Sequence, residues 1–438
     1  MNRRTFVRGS SLLVGAAAAG LAASPAFATP AEFPSADPDQ LFRQGRFDAA
    51  DRGYARMLRR DPQDAHAVAQ RGYIALLTNQ LPAAEKYLSR AVTLMPGDNT
   101  AKQRLAETFA RQDRHARAVP LLRQTGNARD EANATLYSHL AGRPWQIHGA
   151  SSARVPFYAL DPVPSVEAAL NGGKPRKLLI DTYSTLDLAA EVAEELGLRA
   201  LATVTGGVVN NQPVLTYLGI LDSFRLGNIE IRNIPMQWID VKRAPLPDGS
   251  QPAGTIGTTV LYRLLSTMDY ARRALVLRRK AAADPSRHAS GSLPLWLAGD
   301  HYPCSIGTLG DYGPSPVTLD TGGIAHGLDT TVEIAERVGF AVDLDHPVGT
   351  GPTTLYPITT GRISLGRAVG DNIAGLAAPT PFPGFPGPGQ SAQFGFDLTA
   401  NFTHEFFKPF SVTFDYANAE LRIGRPDETA VSNPSRAR

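Results

Sequence analysis

The chain of 438 residues contains one cysteine, Cys304. A lone thiol excludes an internal disulfide framework and any cysteine-rich metal site. Cys304 itself reads as a small buried hydrophobe. Charge of one sign is equally scarce. Lys and Arg total 44 against 41 Asp and Glu, and the excess of three is Arg3, Arg4 and Arg8 within residues 1–28, where no acid occurs. The body of the chain is therefore neutral, which argues against a nucleic-acid partner held by phosphate contacts. The nine histidines are scattered. There is no H-E-x-x-H and no His/Cys cluster, so no metal site is expected. His326, six residues after Asp320, and His346, next to Asp345, read as surface or core histidines rather than ligands. No G-x-S-x-G turn occurs, which excludes an α/β-hydrolase nucleophile. Asn171-Gly172-Gly173-Lys174 lacks the frame of a phosphate-binding loop and reads as a hairpin turn. With 43% hydrophobic and 19% charged residues the chain is an ordinary foldable one, and its length suits two or three domains.

Residues 1–28 have the layout of a secretory signal. A basic start is followed by a weakly apolar Ala/Gly-rich run and then Ala26-Phe27-Ala28, an A-x-A cleavage site. Arg3-Arg4 followed by Thr5-Phe6-Val7 resembles a twin-arginine signal, which implies export of a folded protein to a bacterial periplasm. The alternative is an uncleaved anchor, which the short run opposes. No other segment approaches 18 apolar residues, so the mature chain is expected to have no membrane span.

Residues 33–126 read as helical repeats. Asp61-Pro62 ends one segment and Met95-Pro96 the next, 34 residues later. Superposing them aligns Phe47 with Leu81, Ala50 with Ala84, Tyr54 with Leu88 and Leu58 with Val92, and a weaker third register follows at Ala118 and Leu122. Apolar positions three or four apart form one helix face, and proline stops each second helix. The 34-residue period resembles the tetratricopeptide repeat. That resemblance implies a surface for docking a protein partner. The alternative is a structural cap packed on the next domain. Residues 127–150 read as a polar connection without a period.

The rest of the chain repeats itself. Lys177-Leu178-Leu179-Ile180-Asp181-Thr182-Tyr183-Ser184 is an apolar run ending in an acid and a turn. Pro316-Val317-Thr318-Leu319-Asp320-Thr321-Gly322-Gly323 repeats it 139 residues on. Helical segments follow each, at Leu188–Leu198 and Val332–Phe340. Ser266–Tyr270 with Ala274–Leu277, and Ser411–Tyr416 with Glu420–Ile423, close the two copies at a spacing of 146. Phe224–Ile231 alternates around a Gly-Asn turn, and Arg362–Gly366 echoes it. Gly254-Thr255-Ile256-Gly257 precedes the first closing strand, and Gln393-Phe394-Gly395 is read as its counterpart.

This order of features resembles the retropepsin/pepsin-type aspartic proteases, in the exported bacterial form with two lobes in one chain. It covers residues 151–424. The fold class expected is multidomain α + β, with lobes at 151–283 and 284–424 and a flexible tail at 425–438. The resemblance implies two related β lobes facing across a cleft, with Asp181 and Asp320 as catalytic residues and a monomer sufficient to build the site. It further implies Thr182 and Thr321 as cross-braces, Gly322 as the tight turn, Ser184 as an orienting hydroxyl, an extended peptide or protein substrate, and no cofactor. Two carboxylates about 3 Å apart cannot both ionise and share a proton, so one serves as base and the other as acid. Flap candidates are Gly206 and Gly207 in the first lobe and Gly349 and Gly351 in the second. Ordinary surface turns are the alternative there. Two departures stand out: Tyr183 where the family has glycine, and Gly323 where it has a hydroxyl or alanine. They support a second expectation, a non-catalytic cleft that holds peptide. The proline-rich stretch Pro379–Gly389 is expected to be an exposed insertion, the alternatives being that it lines the cleft or binds a partner as a polyproline segment. Asp269 and Asp415, in the closing strands, read as structural.

Overall fold

The computed structural model describes residues 36–209, 212–280, 291–349, 353–382 and 384–425. The N-terminal signal and Gly351 lie outside the described residues, as does all of the tail beyond Arg425.

Helices come first. The apolar period places α1 at Pro38–Arg43, α2 at Phe47–Arg60, α3 at Ala65–Leu77, α4 at Leu81–Leu94, α5 at Asn99–Arg111 and α6 at His115–Arg123. The starts of α2, α4 and α6 recur at the 34-residue interval, as do those of α3 and α5. Asp64 and Asp98 cap α3 and α5 identically, each accepting the N–H three residues on. The expected connection 127–150 is not one. Asn127 caps a further helix, α7 at Ala128–Ser138, and Gln146–Gly149 is already a strand. The alanine-rich face of α7 is apolar only at Ala132, Ala134 and Leu136, too few to give a visible period.

The helices pack on the β region through their own core. Phe47 meets Trp296 edge-on, with ring centroids 4.5 Å apart, and Phe42 and Tyr73 pack with Phe394 and Phe396. Arg111 donates to the carbonyls of Leu297 and Gly299 at 3.0 and 2.6 Å, and Tyr73 donates to Phe394 O at 3.0 Å. This face is covered by the chain itself. Among the described residues, no helix is long and apolar enough to cross a membrane.

Three sheets follow. The first has eight strands and runs, in spatial order, Gln146–Gly149, Ile229–Ile239, Asp187–Ala189, Gly254–Ile256, Pro175–Ile180, Ser165–Leu170, Gln212–Leu226 and Ala202–Val209. Asn171 and Gly172, both at positive φ, make its first hairpin turn. A ten-stranded sheet builds the second half around Tyr312–Leu319, Ala400–Phe402 and Leu328–Thr331. The third sheet has six strands drawn from both halves: Leu293–Pro294, Glu420–Gly424, Ser411–Asp415, Leu264–Asp269, Ala274–Arg279 and Ser152–Pro156. At its centre Thr267 faces Thr413, and their hydroxyls are 2.8 Å apart. These equivalent positions, 146 residues apart, mark a local two-fold relation. A single apolar core runs through both halves, from Ile180 and Phe224 to Leu319, Phe402 and Phe414.

The counterpart of Gly254–Gly257 is Ala400–Thr403, not Gln393-Phe394-Gly395. Ile180 pairs in parallel with Ile256, and Leu319 pairs in parallel with Phe402. Gln393 and Phe394 instead end a short helix, and Phe394 packs against α3.

Candidate active site

Each acid sits where an apolar strand stops. Leu178-Leu179-Ile180 and Val317-Thr318-Leu319 are buried, which suits strands covered on both faces. The chain then turns. Asp181 N donates to Ile256 O at 3.0 Å, and Asp320 N donates to Phe402 O at 2.8 Å. The next turn residue donates its N–H to the carboxylate in both copies: Tyr183 N to Asp181 Oδ1 and Gly322 N to Asp320 Oδ1, each at 2.7 Å.

The threonines tie the two turns together. Thr182 N donates to Thr321 Oγ1, and Thr321 N donates to Thr182 Oγ1, both at 3.0 Å. Thr182 Oγ1 donates to Leu319 O at 2.7 Å, and Thr321 Oγ1 to Ile180 O at 3.2 Å. Both side chains are fully buried. This reciprocal set seats the Asp181 carboxyl against the turn that carries Asp320, where Gly322 leaves room for it. Burial first, and then the facing Asp320 charge, hold the Asp181 carboxyl well above the carboxylate range. Burial also raises Asp320, and donation from Gly322 N opposes it. Two such carboxyls titrate as a pair and can retain one proton between them.

Gly322 lies directly against the other acid. A Cβ there would sit 2.7 Å from both carboxylate oxygens of Asp181. Tyr183, its counterpart, does not block the pair. It has no positive φ, and its ring turns away to meet Tyr302 at 4.8 Å between centroids. Its hydroxyl donates to Gln390 Oε1 and accepts from Gly387 N at 3.1 Å. That contact corrects the exposed insertion expected at Pro379–Gly389. Phe385 and Pro388 are buried, and Phe382, Phe385 and Pro386 line a cavity of about 430 Å³ beside Asp320. The apolar rings of the loop need cover, and Tyr183 gives it a polar anchor.

Gly323 has a packing reason. A Cβ there would lie 2.6 Å from Thr403 Cβ. In the first lobe the pair is reversed: Ser184 carries the side chain, and Gly257 leaves room for the Ser184 backbone. Ser184 departs from its expected role. Its hydroxyl donates to Asp187 Oδ2 at 2.9 Å, because the turn aims it at strand Asp187–Ala189, away from Asp181. Asp187 is also bound by Arg243.

The flap candidates fall unevenly. Gly206 and Gly207 lie in strand Ala202–Val209, which forms a bulged hairpin with Gln212–Leu226. Gly349, at φ +79°, follows a bridge between Val348 and Leu355, and Thr353 and Leu355 line the cavity beside Asp320. Asp269 and Asp415 accept from nearby turn N–H groups and arginines.

Reading the sequence missed a polar chain behind the second acid. Asn401 Nδ2 donates to Asp320 Oδ2 at 3.2 Å and to Asp329 Oδ2 at 2.9 Å. His326 Nε2 lies 2.9 Å from Asp329 Oδ1. So His326, expected to be a bystander, stands beside the site. The signal was present: the 146-residue offset of the closing strands carries Thr255 onto Asn401.

A family model described as aspartyl protease matches residues 166–260, the stretch that holds Asp181 and Gly254–Gly257. No curated protein matches the chain. Among solved structures the chain is similar to an O-GlcNAc transferase mutant of Thermobaculum terrenum, at 20% identity and a TM-score of 0.22, covering 24% of this chain and 21% of that one. The chain thus spans about a fifth of that protein's length.

Proposed function

We propose that this protein is an aspartic endopeptidase in which Asp181 and Asp320 activate water between two lobes of one chain. The observation that carries this reading is the placing of two acids on equivalent, cross-braced turns, with the Asp181 carboxyl seated against the turn that holds Asp320. The match of the first lobe to an aspartyl protease model supports it.

In this reading the ionised member takes a proton from water as its oxygen attacks the scissile carbonyl. The protonated member gives its proton to the carbonyl oxygen, and a neutral tetrahedral diol results. Collapse breaks the C–N bond: the protonated member gives its proton to the leaving nitrogen while the other carboxylate takes the proton of a diol hydroxyl, whose oxygen becomes the carbonyl of the product acid. Each turnover returns the pair to one shared proton. Neither a metal nor an organic cofactor enters these steps. An extended peptide would lie in the cleft under the hairpin that carries Gly206 and Gly207. One chain supplies both acids, so a monomer suffices.

We read residues 1–28 as a twin-arginine signal for export to a bacterial periplasm, and α2–α6 as tetratricopeptide-like repeats. With the helical face covered by Trp296 and Phe394, these helices serve chiefly as a cap, and any partner would dock on their outer side. A second reading, a cleft that holds peptide without cutting it, rests on the departures Tyr183 and Gly323 from the residues that the resemblance implies.

Peptide cleavage by the full chain separates the two. Asp181→Asn and Asp320→Asn should each abolish it. Peptide binding that survives both changes, with no cleavage at any pH from acid to neutral, would establish the second reading.

A further inference from the structure

We propose that Asn401, Asp329 and His326 form a positioning relay that keeps Asp320 the ionised member of the pair and leaves the shared proton on Asp181. The proposal rests on the proteolytic reading and adds an asymmetry to it.

Asn401 is fully buried in strand Ala400–Phe402. Its carbonyl oxygen accepts from Thr318 Oγ1 at 2.7 Å. That bond fixes the amide, so the nitrogen faces Asp320 at 3.2 Å and Asp329 at 2.9 Å. An N–H aimed at a carboxylate favours its ionised form. One step further out, His326 Nε2 meets Asp329 Oδ1 at 2.9 Å, and His326 Nδ1 meets Ile324 O at 2.7 Å. Both ring nitrogens therefore face acceptors, and only an imidazolium donates from both. Burial alone would lower the His326 pKa, but the charge and hydrogen bond of Asp329 outweigh it and lift it to about 9. A cation is thus kept behind Asp320 throughout the range in which carboxyls titrate.

The first lobe has a different arrangement. Asp187 takes the place of Asp329, but its partners are Arg243 and Ser184. Thr255 stands where Asn401 does, and among the described residues no side-chain amide donates to Asp181. The charge of Asp187 pushes the Asp181 carboxyl upward, as that of Asp329 pushes Asp320. The difference between the lobes therefore lies in the Asn401 amide, which opposes that push at Asp320 and has no counterpart at Asp181 among the described residues. Glu405, whose N–H reaches His326 O, is held by Lys408, which also binds Asp161.

The test is the pH profile of kcat/KM for peptide cleavage by the full chain. His326→Gln removes the cation and leaves the Asp329 charge facing the pair, so the acid limb should move up by about one pH unit. His326→Lys should restore it toward wild type. Asp329→Asn removes the anion, and the acid limb should move down. Loss of packing alone would lower kcat in both variants and leave the limb in place, and that result would overturn the proposal, as would shifts of the same sign. A second readout needs no cleavage. With 13Cγ-labelled aspartate in the full chain, and Asp181→Asn and Asp320→Asn to assign the signals, NMR follows the two carboxyls directly. Shifted titration without any peptide cleavage keeps the relay and removes the proteolytic reading. Asp-dependent cleavage with unmoved limbs and unmoved carboxyl titration removes the relay and keeps that reading.

Discussion

The two lobes agree in backbone and differ in what surrounds it. Asp181 and Asp320, Thr182 and Thr321, and the N–H groups of Tyr183 and Gly322 make the same bonds at nearly the same lengths. One shell out, the agreement ends. Tyr183 replaces Gly322 in kind, and Ser184 with Gly257 becomes Gly323 with Thr403. Asp187 with Arg243 becomes Asp329 with His326. The contacts that hold the two acid turns are thus paired, and the charged and polar groups behind each acid are not.

Variants can break either half of that comparison. The largest effect is expected for Asp181→Asn and Asp320→Asn, each lowering peptide kcat/KM by about a thousandfold or more, with far-UV circular dichroism unchanged. Next comes Gly322→Ala. Its methyl group would press on Asp181 and displace a carboxylate, so cleavage should fall by roughly a hundredfold. Tyr183→Ala at the equivalent site should leave the pair closed and mainly loosen the proline-rich loop, read as a changed KM.

Thr182→Val and Thr321→Val test the paired part. Each removes an acceptor from one buried N–H and a donor from one carbonyl, and each should cost about 1–3 kcal/mol in denaturant unfolding. Equal losses support the symmetric brace, and one silent variant contradicts it. Gly323→Ser tests the exchanged pair. Overpacking against Thr403 should cost about 1–2 kcal/mol, and Thr403→Ala in the same chain should recover part of it, giving a coupling that a double-mutant cycle measures.

The smallest effect is on stability against pH. Asp181 has a folded pKa above its unfolded value, so the folded chain binds the proton more tightly. Its contribution is present below the ordinary carboxylate range and is lost as pH rises toward the folded value. Asp181→Asn should therefore raise Tm at pH 7 relative to wild type by more than it does at pH 4. An equal change at both values would contradict the burial of an ionisable pair.

Much of this was legible in the letters. An apolar run that stops at Asp-Thr states both a covered strand and a turn, and its repetition located Asp181 and Asp320 without coordinates. The 34-residue proline spacing and the aligned apolar positions located α2 and α4 in the same way. What escaped depends on partners distant along the chain. Asn401 reaches back 81 residues to Asp320, and Gln390 lies 207 residues from Tyr183. No local period records such contacts. Gly323 looked like a lost hydroxyl because Thr403, which takes up its space, lies on another strand. Helix α7 was hidden by a face of alanines with one leucine, and the loop around Phe385 by prolines that read as solvent-exposed.

The central claim concerns a single hydrogen nucleus, and neutron diffraction from a deuterated crystal of the full chain near pH 5 locates it. One deuteron between the Asp181 and Asp320 carboxyls, bonded to Asp181, with the amide deuterons of Asn401 directed at Asp320 and Asp329, is the expected result. Two deuterons on the pair, none, or two carboxyls turned away from each other would contradict it.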